Sequence, residues 1–241
     1  MNAAAAPGAV LFPVLYKSVT MVNRETHRGL KLKTMPTPLA FAQETHLLPA
    51  VADEFAAAAR ELPIVFLPEG DMISPVFLLG LRQGRNSFVT KEGYWSGMYM
   101  PAYLRRYPFL MADVEGAEPV LCMDEKFAGV NEAEGQSFFA DDGALTPFLN
   151  EVMAFSANFH ASGQRTQALM MKLKTLDLFK SVSIDVKNDR VGQASITGML
   201  VIDEEKLRAL PDPVIIDLFR TGALPAIYAH LMSLSALPTL S

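Results

Sequence analysis

The sequence contains few of the residues that usually bind metals or form cross-links. It has one cysteine, Cys122, and four histidines among 241 residues. A single thiol forms neither an intramolecular disulfide nor a thiolate metal cluster, which fits a reducing compartment. Four histidines are few for a metal centre, and neither His27 nor His46 has a third donor at metal-like spacing. The sequence therefore predicts no metal site.

The motifs that identify common catalytic sites are also absent. The sequence has no glycine-rich nucleotide loop, no His-Glu-x-x-His or His-x-Asp motif, and no Gly-x-Ser-x-Gly motif. These absences exclude the easily recognised metalloproteases, non-haem iron oxygenases and serine hydrolases. We therefore predict no cofactor and favour a protein without catalytic activity, although a site assembled only in space leaves no spacing to detect.

Long hydrophobic runs and an excess of positive charge are missing as well. The apolar runs at residues 63–68 and 75–81 are far shorter than the roughly 20 residues of a membrane helix. The N-terminus lacks the basic stretch of an export signal, so we predict a soluble cytoplasmic protein without a membrane span. The formal net charge of −5 disfavours binding to nucleic acid, which needs a basic surface.

What the sequence does contain is a mixture of short apolar and amphipathic segments. Proline-bounded apolar runs predict strands buried on both faces, and alternating apolar residues predict a hairpin over residues 182–202. We predict an α+β fold of mostly antiparallel sheets, built from short strands and hairpins, covered by helices and ending in helices. The other predicted strands are residues 11–16, 64–67, 75–81, 87–90 and 120–125, and the predicted helices are residues 50–60, 101–107, 146–176, 203–210, 214–220 and 224–234.

The domain organisation is predicted from length and continuity. The chain is long enough to bury one large core, and no repeat or low-complexity linker divides it. We predict a single domain over residues 1–241, with sub-lobes at residues 15–145 and 146–241 as an alternative.

The most distinctive stretch is the aromatic–arginine segment, which we define as residues 94–111. It contains the only tryptophan and four of the six tyrosines, together with the adjacent Arg105 and Arg106. Aromatic and arginine side chains suit a surface that both packs and recognises polar groups. The segment is therefore the first candidate for a binding surface.

A short helix over residues 101–107 predicts how these side chains are arranged. Tyr99, Tyr103 and Tyr107 recur every four residues, which predicts one shared face. Arg105 and Arg106 then point elsewhere, and two adjacent guanidinium groups suit an anion or an acidic partner. The alternative for the tyrosines is a half-buried cover over the preceding sheet. Tyr99, Tyr103, Arg105 and Arg106 are accordingly candidate ligand-binding residues.

The last predicted helix adds Tyr228 and His230, a polar pair that interrupts an apolar face. We include both as candidate ligand-binding residues. For His230 the alternative is a hydrogen-bonded core histidine that links two helices. If the protein is instead an enzyme, it needs a titrating group, and His230 or His160 is the first candidate.

Residues 124–143 are acidic and rich in turns. Calcium binding is one interpretation, but the segment lacks the alternating oxygen donors and the closing glutamate of an EF-hand loop. A solvated acidic loop fits the composition better. Cys122, in the adjacent predicted strand, is better explained as a core thiol than as a nucleophile.

Eight short stretches, in order along the chain, together resemble the bacterial SapC family over roughly residues 15–237. Two of them read Glu-Phe-Ala-Ala-Ala-Ala-Arg-Glu-Leu-Pro-Ile-Val-Phe (residues 54–66) and Tyr-Met-Pro-Ala-Tyr-Leu-Arg-Arg-Tyr-Pro-Phe (residues 99–109). The other six are residues 22–30, 79–88, 122–125, 134–139, 201–207 and 227–234. Where the family usually has an aromatic residue before Pro-Ile-Val-Phe, this chain has Leu62, which is a change in packing.

The resemblance implies an association with bacterial surface-layer gene clusters, from which the family takes its name. Similar proteins accompany outer-membrane receptors, cupin-like oxygenases and flavin-dependent halogenase-like proteins. The family supplies no agreed catalytic residues that would be transferred to this chain.

Three functional hypotheses follow. The first, which we favour, is an accessory or binding protein that recognises a peptide, a protein or a small acidic ligand, with a homo-oligomer also left open. The second is an enzyme that modifies peptides or small molecules beside those oxygenases or halogenases. The third is a surface-layer-associated protein, which the missing export signal disfavours.

Overall fold

The computed structural model describes residues 13–188 and 192–240. These residues form antiparallel sheets and helices with a helical C-terminal end, which confirms the predicted α+β fold. The strands are β1 (Val19–Met21), β2 (Lys31–Leu32), β3 (Leu47–Pro49), β4 (Ile64–Glu69), β5 (Met72–Leu78), β6 (Phe109–Val114), β7 (Ala117–Asp124), β8 (Val130–Asn131), β9 (Gln136–Ser137), β10 (Phe179–Asn188) and β11 (Gly192–Ile202). The α-helices are α1 (Phe55–Ala58), α2 (Ala102–Arg106), α3 (Pro147–Thr175), α4 (Glu204–Arg208), α5 (Asp212–Arg220) and α6 (Ala223–Ser233).

The chain forms two compact units, and each unit is assembled from two chain segments. The first unit combines the residues up to Thr34 with Tyr107–Val152, and the second combines Met35–Arg106 with the residues from Met153 onward. All six candidate ligand-binding residues belong to the second unit. The interpretation of the whole chain as a single domain stays a prediction.

The described part of the first unit contains two three-stranded antiparallel sheets. In one sheet β7 lies between β1 and β6, and Leu110 stands opposite Cys122. In the other, β2 lies between β8 and β9. The turn before β2 is closed by Asn23, whose Oδ1 accepts hydrogen bonds from the backbone N–H groups of Glu25 (2.7 Å) and Thr26 (3.4 Å).

The second unit is organised around one five-stranded antiparallel sheet with the strand order β10-β11-β4-β5-β3. β4 and β5 form a hairpin, and its turn contains Gly70 in the left-handed region (φ 60°). Three consecutive residues of β4, residues 64–66, are buried, so both faces of this strand are covered. The apolar run at the start of β4 predicted this burial.

The longest helix and the C-terminal helices begin and end at signals that the sequence carries. Thr146 Oγ1 accepts a hydrogen bond from the Leu149 N–H (3.3 Å) at the start of α3. Asp203 caps α4 in the same way, accepting from the Glu205 N–H at 3.1 Å. Gly222, with a φ of 75°, allows the chain to turn between α5 and α6.

The prediction of a strand over residues 87–90 is wrong. The structure has a turn there, followed by a single bridge between Val89 and Trp95. The buried side chain of Asn86 explains the turn, because its Oδ1 accepts a hydrogen bond from the backbone N–H of Phe88 (2.9 Å). A side chain that satisfies the backbone locally competes with strand pairing.

Two further differences between prediction and structure concern residues 11–16 and β6. The predicted strand at residues 11–16 begins outside the described residues, and its described part, residues 13–16, contains a turn. The sequence predicts no strand at β6, because the first residues of β6 lie in the aromatic–arginine segment directly after Pro108, and this proline indicates only the end of a helix.

Candidate functional site

The helix inside the aromatic–arginine segment is shorter than predicted. α2 has five residues, and Tyr103 is the only tyrosine on it. Tyr99 precedes the helix, and Tyr107 follows its last residue and lies in the first unit. The predicted shared face of three tyrosines is therefore wrong, because the helix would have to extend by four residues, about one further turn, to include positions 99 and 107.

The start of α2 is fixed by the buried carboxyl group of Glu54. This residue ends the short 3-10 helix Ala52–Glu54 and is 6% exposed. Its Oε1 accepts one hydrogen bond from the Tyr99 hydroxyl and one from the Ala102 backbone N–H, each at 2.6 Å. The N–H groups of a first helical turn have no partner within the helix, so a carboxylate placed there satisfies one of them.

The two oxygens of Glu54 differ in their surroundings. Oε2 is buried and has no hydrogen-bond partner among the described residues. Burial raises the pKa of the Glu54 carboxyl above its ordinary value, while the hydrogen bonds from Tyr99 and Ala102 and the charge of Arg105 oppose the increase. Burial and the adjacent Glu54 also raise the pKa of the Tyr99 hydroxyl, so Tyr99 remains a hydrogen-bond donor at neutral pH.

A second glutamate, Glu61, orders the loop that leads into α2. Its carboxylate accepts hydrogen bonds from the backbone N–H of Met98 (2.9 Å) and from that of Tyr99. Gly97 permits this close approach, since a Cβ at that position would lie 3.1 Å from Glu61 Oε2. Tyr99 is thus held at its backbone by Glu61 and at its hydroxyl by Glu54.

Arg105 is the exposed cation of this region. The centre of its guanidinium lies 5.2 Å from the ring centroid of Phe155, on α3, and 5.9 Å from that of Tyr99. Both distances are within the range of cation–π attraction, so the two rings orient the side chain. None of the ion pairs formed by the described residues involves Arg105.

Arg106 is partly buried against a second pair of rings. Its guanidinium centre lies 4.3 Å from the ring centroid of Tyr103 and 4.4 Å from that of Phe159, also on α3. Tyr103 is buried, and burial raises the pKa of its hydroxyl although the charge of Arg106 opposes the increase. The prediction that both arginines point away from the tyrosines is wrong, because each guanidinium lies over one tyrosine ring.

We call this group the Arg105 site and define it by the residues that contact one another around α2. It contains four of the six residues predicted from the sequence and three that were missed. Its members are Glu54, Tyr99, Tyr103, Arg105, Arg106, Phe155 and Phe159.

The three missed residues left unequal signals in the sequence. Phe155 and Phe159 are four residues apart on the predicted long helix, and this spacing places two rings on one face. The sequence could have indicated this arrangement, since two rings on one helix face can pack against two adjacent arginines. Glu54 had no comparable signal, because its partner Ala102 lies 48 residues further along the chain.

Tyr228 and His230 both lie on α6, in different surroundings. Tyr228 is 46% exposed, whereas His230 is fully buried. His230 Nδ1 donates to the carbonyl of Ile64 on β4 (2.8 Å), and Nε2 accepts a hydrogen bond from the N–H of Ile202 on β11 (3.1 Å). Burial lowers the pKa of His230 to about 4, so the neutral imidazole links α6 to two strands. The described contacts of His230 include no member of the Arg105 site.

The remaining chemical groups singled out in the sequence are not members of the Arg105 site. Cys122 is buried, and burial raises the pKa of its thiol, as is typical of a core cysteine. His160 Nε2 lies 3.2 Å from the side-chain amide nitrogen of Gln164. Among the described residues, no group of three or more His, Cys, Asp or Glu side chains is placed to hold a metal ion.

A membrane span requires a helix that is both long and apolar. In the part of the chain that the structure describes, no single helix meets both criteria. α5 and Ala223–Thr239 meet the same criteria only as a pair, with a bend of 88° between them.

Comparison with known proteins gives one match. A model of the SapC family matches residues 22–240, nearly the whole chain, which confirms the resemblance found in the sequence. No curated protein and no solved structure matches the chain. The matched range includes every residue of the Arg105 site.

Proposed function

We propose that this chain, which belongs to the SapC family, is a binding module that recognises an acidic group of a peptide or protein through Arg105. The observation that supports this proposal is the state of the Arg105 side chain. It is exposed, oriented by two aromatic rings, and absent from the ion pairs of the described residues.

An oriented guanidinium is well suited to an acidic partner. It presents several N–H donors in a fixed plane, and this plane matches the two oxygens of a carboxylate or the oxygens of a phosphate. Because Phe155 and Tyr99 already restrict the side chain, less conformational entropy is lost when a partner binds. Arg106 supports the proposal less, because its guanidinium is partly buried against Tyr103 and Phe159.

Glu54 and Glu61 prepare the same surface without facing a partner themselves. Glu54 fixes the start of α2 and the Tyr99 hydroxyl, and Glu61 fixes the Tyr99 backbone. The ring of Tyr99 is therefore held where Arg105 can lie over it. His230 is left out of the proposed surface, since both of its ring nitrogens bond to the backbone of the core.

Peptide arrays test this proposal directly. Peptides of equal length that carry zero, one or two glutamates are bound to the purified protein, and affinity is measured at two salt concentrations. We expect affinity to rise with peptide charge and to fall with salt. In Arg105→Ala the acidic preference is expected to fall about tenfold, and Arg105→Lys is expected to recover only part of it, because lysine lacks the planar fork.

The matched control is Arg208→Ala, which removes an exposed arginine that is already paired with Glu204 (3.1 Å). This variant is expected to keep the acidic preference. A preference that survives in Arg105→Ala, or that is lost equally in Arg208→Ala, contradicts the proposal. Thermal unfolding of each variant confirms that the fold is intact.

The proposal extends to where the protein acts and how it associates. We propose a cytoplasmic location, supported by a single cysteine that forms no disulfide within the chain. Cell fractionation tests this location. Light scattering of the purified protein, with and without an acidic peptide, tests whether it also forms a homo-oligomer.

A further inference from the structure

A cleft of about 430 Å³ lies within the second unit, and none of its lining residues is a member of the Arg105 site. One wall is a face of α3, another is the 3-10 helix Ala52–Glu54, and the third is the start of α6. Its volume falls in the range of roughly 300–1,000 Å³ that is typical of small-molecule sites. The lining residues are Ala52, Asp53, Arg165, Ala168, Leu169, Lys172, Thr221, Gly222, Ala223 and Ala226.

The interior of the cleft is apolar and incompletely filled. Leu169 and Ala168 face it from α3, while Ala223 and Ala226 face it from α6. Short side chains on both helices leave the space between them open. Gly222 adds to this space, since a Cβ at that position would meet no atom within 4 Å. The cleft can therefore receive an apolar body.

Two cations of α3 flank this apolar interior. Arg165 and Lys172 are seven residues apart and so lie on the same face of the helix, about 10 Å apart along its axis. Arg165 Nη2 donates to Asp53, and Lys172 Nζ donates to Asp217. The Arg165–Asp53 pair is largely solvent-exposed, with 61% and 52% side-chain exposure, whereas the Lys172–Asp217 pair is partly exposed, with 33% and 54%. Exposed ion pairs of this kind stabilise a protein little.

Each cation has N–H donors that its present partners do not occupy. A guanidinium carries five N–H donors, and the contact with Asp53 occupies only the Nη2 group of Arg165. An ammonium carries three, and Lys172 uses two of them, on Asp217 and on Thr221 Oγ1 (3.3 Å). Donors therefore remain for an anion that enters between them.

We propose that this cleft binds a small organic anion with an apolar body. Arg165 and Lys172 hold its carboxylate or phosphate, and the alanine-lined interior holds the body. Asp53 competes for Arg165, so it sets the affinity without contacting the ligand's apolar part. This site is independent of the function proposed for Arg105, with which it shares no residue.

Titrations of the full chain with defined probes, followed in ¹H–¹⁵N correlation NMR spectra, test the proposal. The probes are octanoate, octyl phosphate, octanol and inorganic phosphate. We expect saturable shifts of the Ala168, Leu169 and Ala223 amide signals with octanoate, with octyl phosphate or with both. The probe that binds with the higher affinity identifies the preferred head group. Octanol and inorganic phosphate are expected to bind at least tenfold more weakly, because each lacks half of the recognised structure.

Four variants decide between the proposal and non-specific binding. Arg165→Ala and Lys172→Ala are each expected to weaken octanoate or octyl phosphate at least fivefold, and Ala168→Leu is expected to abolish binding by filling the cleft. Asp53→Asn, which frees the guanidinium, is expected to strengthen binding about threefold. Any of three results overturns the proposal. These are shifts that do not saturate, an affinity for octanol as high as that for octanoate, and unchanged binding of the octyl probes in Ala168→Leu.

Arg105→Ala separates this inference from the proposed function. Binding of the octyl probes is expected to be unchanged in that variant. Loss of the octyl probes together with the acidic peptides would overturn the assignment of two independent sites.

Discussion

Asp124 and Glu54 are both buried carboxyl groups that accept a hydrogen bond from a tyrosine hydroxyl, and one lies in each compact unit. Asp124 uses both of its oxygens. Oδ2 accepts the Tyr107 hydroxyl at 2.9 Å together with one backbone N–H, and Oδ1 accepts two further backbone N–H groups. The three backbone donors are Lys17, Ser18 and Lys126.

Glu54 is arranged differently. Both of its described hydrogen bonds reach Oε1, and Oε2 has none from the described residues. A buried acceptor without a partner is energetically costly, whereas both oxygens of Asp124 have donors. Asp124 therefore joins separate chain segments. Glu54 fixes Tyr99 and the start of α2, but its buried Oε2, which has no partner among the described residues, lowers the stability gained. A functional role is one explanation for a buried polar group that lacks a partner.

Removing the Asp124 carboxylate is expected to have the largest effect on stability. Asp124→Ala leaves the Tyr107 hydroxyl and three backbone N–H groups without their acceptor, so we expect a loss of about 3–5 kcal/mol. Urea unfolding followed by circular dichroism measures this loss. Glu118→Ala, an exposed glutamate on the same strand, is the control and is expected to change stability by less than about 0.5 kcal/mol. Equal losses in the two variants would contradict a structural role for Asp124.

His230 extends the comparison to a base that is satisfied at both nitrogens. Its folded-state pKa of about 4 lies below the ordinary 6.5, so the unfolded chain takes up the proton first as the pH falls. The stability that the neutral imidazole provides is therefore present above pH 6.5 and is lost between pH 6.5 and pH 4, up to about 3 kcal/mol.

Long-range nitrogen NMR of the histidine rings measures this titration in the folded protein. We expect His230 to remain the neutral Nδ1–H tautomer down to pH 5. A His230 midpoint near 6.5 would falsify the buried, doubly bonded arrangement.

Glu54 is expected to show an intermediate effect and the opposite dependence on pH. Glu54→Ala removes the acceptor of Tyr99 and Ala102, so we expect a loss of about 1–3 kcal/mol. Because the folded-state pKa of Glu54 is raised, the stability gained from its protonated form is fully present below pH 4.5 and is lost as the pH rises through the folded-state pKa.

A matched comparison of Glu54→Gln with the wild type isolates that pH dependence. Glutamine is neutral at every pH and keeps an oxygen for the two donors. We expect the free energy of unfolding of the variant, relative to the wild type, to increase as the pH rises above 4.5. A difference that is constant from pH 4 to pH 8 would show that the Glu54 pKa is not raised.

The two adjacent arginines are expected to give the smallest change in stability and the clearest separation of roles. Arg106→Ala removes a partly buried side chain from two rings, so we expect a loss of about 1–2 kcal/mol. Arg105→Ala removes an exposed side chain and is expected to cost less than about 1 kcal/mol. Urea unfolding compares the two variants. A larger loss in Arg105→Ala would make that residue structural and remove the basis of the proposed recognition.

Much of the fold was predictable from local signals. Three local signals mark where an element begins: the apolar run at the start of β4, the threonine cap of α3 and the aspartate cap of α4. Each acts only on neighbouring residues, so it can be recognised in the sequence. The short helix α2 was placed almost correctly for the same reason. It is one residue shorter at each end than the predicted residues 101–107.

The candidate site was only partly predictable. The sequence identified Arg105, Arg106, Tyr99 and Tyr103 through their unusual composition. It did not identify Glu54 or Glu61, because their partners lie 48 and 37 residues further along the chain and depend on tertiary packing. It also could not tell which arginine is exposed, since adjacent residues of one helix differ in burial only after a second helix packs beside them.

The assembly of each unit from two separate segments has a consequence for biosynthesis. A ribosome completes β3, β4 and β5 and then the remaining segment of the first unit before it reaches β11, which covers the open edge of β4. The nascent chain therefore carries an unpaired strand edge through much of its translation, a state that invites mispairing between polypeptides on the same polysome. Prematurely terminated products keep that edge permanently and are natural substrates for chaperones and proteases.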